Sequence, residues 1–93
     1  MGYASQTPSE QIHLREKLEL AVLKQVVPLV GGGGPNAPLA EAIVARPERG
    51  ISTLLLKVQA VDGVGVESTD AELDTAVLSS TSVAVLKQIY GVA

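Results

Sequence analysis

The sequence predicts a mostly α-helical fold, a small bundle of three to five helices joined by Gly-rich linkers. Three observations point there. Apolar residues recur at intervals of three and four along most of the chain, the period of a helix face. Two Thr-x-x-Glu boxes, at 7–10 and 69–72, stand where such stretches begin. A proline or glycine stands where each one stops. An α+β alternative with a hairpin at 52–67 stays open, because one apolar run reads either way.

The first helix is expected at 8–27. Thr7 can accept from the amide of Glu10, Glu10 can reach back to the amide of Thr7, and Pro8 at the first helical position loses no bond. Leu14, Leu18, Ala21, Val22 and Gln25 follow at helical spacing, with Leu20, Leu23 and Val27 broadening the stripe. Pro28 ends or kinks the helix, since the residue before a proline is pushed from helical angles. Gly31 to Gly34 read as a hinge or linker. Asn36 is the expected cap of a short helix at 37–46, with Leu39, Ala40, Ile43 and Val44 apolar, Arg46 at the negative end of its dipole and Pro47 closing it.

Residues 51–61, ISTLLLKVQAV, carry the ambiguity. Ile51, Leu54, Leu55, Val58 and Val61 fit one helical face, with Gly63 as a left-handed stop. Leu54, Leu56, Val58 and Ala60 also fit a strand face, with Asp62-Gly63 as a tight turn. Thr69 to Glu72 then opens a helix with Leu73, Ala76 and Val77 on one side. The hydroxyl run Ser79 to Ser82 competes for backbone hydrogen bonds. Either one helix spans 70–90, or two span 70–78 and 82–90, and Gly91 is the stop in both cases.

With 93 residues the chain fills one small domain, 1–93. Residues 1–7 are an extended N-terminal arm, 8–27 the first helix, 28–36 the Gly-rich linker and 37–93 the helical remainder. There is no Phe and no Trp, and Tyr occurs twice, so the core must be Val, Leu, Ile and Ala. Such an interior lacks the large areas aromatic rings bury, and burial against copies of the chain would supplement it. Self-association follows as an expectation. Net charge is −3, without the basic stripe of a dedicated nucleic-acid binder; Asp62, Glu67, Asp70, Glu72 and Asp74 read as a solvated loop and helix start. With no cysteine, disulfide and thiolate chemistry are excluded. The start MGYASQ has Gln6 where a myristoylation pattern wants Ser or Thr. No basic segment precedes an apolar run, so no secretory signal peptide is expected. The run 18–30 is too short to span a bilayer, and no membrane partner is expected.

Motifs that carry chemistry are thin. Gly32, Gly33, Gly34 and Ala37 satisfy G-x-G-x-x-G/A only formally: a helix end precedes them and no acid stands near 51–56. DAELD at 70–74 imitates a calcium loop, but Thr75 and Thr81 occupy the positions that need Gly and Glu. His13 is the single histidine, flanked by charge. Lys24, Lys57 and Lys87 lie in apolar runs, where a snorkelling stem explains them. No catalytic, cofactor-binding or metal-ligating residue is assigned.

The pentapeptide AVLKQ occurs at 21–25 and again at 84–88. Its flanks do not match over the length of a duplicated unit, so it reads as two helix ends with similar docking surfaces or as coincidence. The expected interface residues are Leu18, Val22, Val26, Val83, Leu86, Ile89 and Tyr90.

Three functions compete. A non-enzymatic structural or assembly subunit, packing on copies of itself and on neighbouring proteins, stands first, with a virion (the head or head–tail junction of a tailed phage) as its setting; the corresponding location is virion or cytoplasm. A small adaptor docking the 8–27 helix on a partner is the second. An anion- or nucleotide-binding enzyme using the Asn36 helix start is the third.

Overall fold

In the computed structural model residues 7–93 are described; of the expected arm at 1–7, only Thr7 is among them. Thr7 is the cap of α1, Pro8–Val26. Its hydroxyl accepts from the amide of Glu10 at 3.2 Å, and its own amide donates to Glu10 Oε1 at 2.9 Å. The α-helix ends two residues before Pro28, as the sequence predicts. It tightens into a 3₁₀ turn, Val27–Leu29, in which the proline sits near the start and needs no amide partner. The connection to the next helix is exposed, and Gly31 and Gly33 take left-handed φ angles of 75° and 73°, a conformation only glycine adopts freely.

The second helix, α2, is Ala37–Ala45. Asn36 precedes it but makes no side-chain cap, and Arg46 lies past the last turn as the C-cap, with φ −146°. Helix α3 is Ile51–Asp62, so the hairpin at 52–67 does not form, and there is no strand among the described residues. The burial pattern gives the reason. Ile51, Leu54, Leu55 and Val58, four of the five residues of the expected helical face, are nearly sealed from solvent, while the fifth, Val61, is 55% exposed. Leu56, which strand alternation would turn inward with Leu54, is 57% exposed. Gly63 then stops α3 at φ 68°, and the amide of the buried Val64 donates to Val58 O at 3.3 Å. That is a glycine-centred C-cap with its accompanying apolar contact.

The hydroxyl run divides the last third into α4, Asp70–Leu78, and α5, Ser80–Tyr90. Thr69 and Glu72 form the second capping box, at 2.7 and 3.2 Å. A single residue, Ser79, joins the two helices. It has extended backbone, φ −62° and ψ 151°, ends α4, and caps α5 by accepting from the amide of Ser82. Gly91 ends α5 at φ 69°, with Val92 N donating to Lys87 O at 2.9 Å.

Helix α1 lies at the centre, against α4, α2 and α3. Leu14, Leu18, Ala21 and Val22 of α1 meet Leu39 and Ile43 of α2, Leu54, Leu55 and Val58 of α3, Leu73 and Val77 of α4 and Leu86 of α5 in one cluster. Each such aliphatic side chain contributes about 1.5–3 kcal/mol. The interior of this one chain is aliphatic, with Tyr90 packed against its edge. One correction concerns α1. Leu20 and Val27, read as widening its inward stripe, are 67% and 54% exposed.

Candidate functional site

The seven expected interface residues divide into three groups. Leu18, Val22 and Leu86 are buried in the core cluster; they hold the chain's own helices together and offer no surface to a neighbour. Ile89 and Tyr90 fasten the end of α5 to the turn between α2 and α3. The Ile89 side chain lies against Gly50, the Tyr90 hydroxyl donates to Arg46 O, and the Arg49 guanidinium stands 6.0 Å from the Tyr90 ring centroid. Partial burial raises the Tyr90 pKa above its ordinary value. Val26 and Val83, half-buried like Ile89 and Tyr90, line a groove.

That groove lies between the end of α1, α2 and the α4–α5 corner. Leu29 and Leu78 stand exposed at its rim, and Leu39, Ile43 and Leu86 reach its floor. Its lining is almost wholly apolar and its space is about 50 Å³, far below the roughly 300–1,000 Å³ of ordinary ligand pockets. It suits an aliphatic side chain, and the polar residues in its lining are Gln25 and Asn36.

A wider, open channel of about 460 Å³ runs between α1 and α4. His13, Lys17, Leu20 and Lys24 line it from α1 and Asp70 and Asp74 from α4, with the buried Ala21 and Leu73 beneath. Lys24 Nζ bridges it to Asp74 Oδ2 at 2.8 Å, and that hydrogen bond raises the Lys24 pKa. The second oxygen, Asp74 Oδ1, is enclosed without a hydrogen bond, so it is closed to a ligand as well.

The remaining titratable residues do not converge. His13 is exposed, 4.0 Å from an equally exposed Glu16. Among the described residues there is no group of three or more His, Asp or Glu able to hold a metal ion. The acids of DAELD already serve the fold: Glu72 completes a cap and Asp74 pairs with Lys24. Around Asn36 no basic side chain lines the groove. The two AVLKQ copies also differ in use. Ala21 and Val22 are buried in the first, whereas in the second Ala84 is exposed, Val85 half-buried and Leu86 buried. The shared letters do not make a shared packing surface.

No family model matches this chain, and no curated protein or solved structure is significantly similar to it. The site therefore rests on its own geometry.

What sequence reasoning missed is the outward apolar set. Ile12, Leu20 and Val27 on and just beyond α1, Leu29 in the 3₁₀ turn, Leu56 and Val61 on α3 and Leu78 at the end of α4 are each 42–67% exposed. The signal was present for α1. At 100° per residue Ile12, Leu20 and Val27 fall within about 80° of one another, and the arc lies away from Leu14 and Leu18. No helix among the described residues is long and apolar enough to cross a membrane.

Proposed function

We propose that this chain is a non-enzymatic assembly subunit that works by packing against copies of itself and neighbouring proteins. The observation that carries the reading is the surplus of large aliphatic side chains outside a core that is complete without them. Isolated exposed apolar residues are ordinary on any protein. Here Leu20, 67% exposed, shares one helix with Ile12, and Leu29 and Leu78 share the rim of one apolar groove. A protein shell fits such a unit, and the head or head–tail junction of a tailed phage is the setting we propose. The adaptor reading loses ground because the main apolar face of α1 is already spent inside the chain.

Light scattering and sedimentation over a broad concentration range test the proposal. A discrete oligomer, or a mass that grows with concentration, is expected. A monomer at every concentration, or a small compound that stays bound through purification, overturns it.

A further inference from the structure

The outer face of α1 carries a pattern that selects its own occupant. Ile12, Glu16, Leu20 and Lys24 stand four residues apart and form one surface row, the kind of ridge by which helices pack. All four are exposed: Ile12 by 53%, Leu20 by 67%, the Glu16 side chain by 72% and the Lys24 side chain by 58%. The row has an apolar centre at Leu20, an acid one turn towards the N-terminus and a base one turn towards the C-terminus. Laid beside the same row running in the opposite direction, it matches itself. Leu20 meets Leu20, and Glu16 of each copy meets the Lys24 of the other. In a parallel arrangement the same row sets Glu16 against Glu16 and Lys24 against Lys24, and like charges facing across an interface penalise that alternative. Antiparallel packing also aligns the two helix dipoles favourably. A two-fold axis closes the contact on itself. The Lys24–Asp74 bridge does not oppose it, since an ammonium has three donors and most of this side chain is in solvent.

We propose that two copies of the chain associate through the outer face of α1, antiparallel about a two-fold axis at Leu20, with Glu16 paired to the partner's Lys24. This rests on the assembly reading and specifies its first contact. Because the chain has no cysteine, disulfide trapping in the full-length protein reads the register directly. Leu20→Cys should cross-link to itself. Glu16→Cys alone should stay uncross-linked, whereas Glu16→Cys mixed with Lys24→Cys should give the mixed disulfide. A second measurement needs no substitution: in a mixture of isotopically labelled and unlabelled protein, a zero-length carbodiimide link between Glu16 and Lys24 should join labelled to unlabelled copies. Self-linking of Glu16→Cys overturns the antiparallel register. Absence of every such link while the unmodified protein still sediments as an oligomer overturns this surface and leaves the assembly reading standing. A monomer at all concentrations overturns both.

Discussion

Gly50 has no room for a methyl group. A Cβ there would lie 2.9 Å from Ile89 Cγ2 and 3.5 Å from Ile89 Cβ, and a β-branched side chain has one strongly preferred rotamer on a helix. The end of α5 would have to lift from the turn, taking Tyr90 with it. Gly50→Ala should therefore lower stability by about 1–3 kcal/mol, the cost of overpacking, read as a fall in the thermal midpoint. Adding Ile89→Ala should recover part of the loss, because it removes the atoms in the way. Tyr90 beside it gives a pH signature. Burial raises its folded-state pKa, so its contribution is fully present below the ordinary tyrosine value near 10 and is lost as pH rises through the folded value. Unfolding followed from pH 8 to 11 should show stability falling at the alkaline end, and Tyr90→Phe should flatten part of that fall. The rest includes Lys24, whose raised pKa acts in the same direction.

Among the elements, the Ser79 corner is the most delicate. Ser79 Oγ accepts from the Ser82 amide and donates to Ser82 Oγ, and Ser82 Oγ, buried, donates to Ala76 O at 2.7 Å. Ser79→Ala should cost about 0.5–2 kcal/mol through the lost cap. Ser82→Ala should cost about 1 kcal/mol through the lost buried bond. Since the two hydroxyls are bonded to each other, the double variant should cost less than the two losses added, a difference chemical denaturation can measure. This corner also shows how far the sequence could be read. Its four hydroxyl residues announced a break, but nothing in their order said that Ser79 alone would turn the chain and that α5 would begin at Ser80. The capping boxes at Thr7 and Thr69 and the glycine stops at Gly63 and Gly91 were legible because each depends on neighbours within a turn. The choice at 51–62 was not, because both periods fit the letters and only packing against α1 and α5 selects one. For the same reason three of the seven expected interface residues are core: apolar identity says that a residue seeks burial, and tertiary contact decides in whose interior.

At the scale of the whole molecule, the aliphatic core and the outward row on α1 can be separated by experiment. Leu20 supplies little to the chain's own packing, so Leu20→Asp should leave helicity and thermal midpoint nearly unchanged. The same substitution buries an unpaired carboxylate at the centre of the proposed contact, which should move the concentration for association upward by roughly tenfold or more. Leu54→Ala should do the reverse of this. It opens the core at a fully buried position and should cost about 2–5 kcal/mol, while the outer row stays as it was.

The one-residue joint at Ser79 also bears on where this chain can change length. A one-residue joint fixes the direction in which the next helix leaves, so an insertion beside Ser79 would re-aim α5, displacing Leu86 from the interior and Tyr90 from Arg46. The glycine segment 31–34 is exposed, and a Cβ at Gly31, Gly33 or Gly34 would meet nothing within 4 Å, so extra residues there would lengthen an exposed loop. Natural length variation among descendants of this sequence should accordingly gather at 31–34 and spare 79.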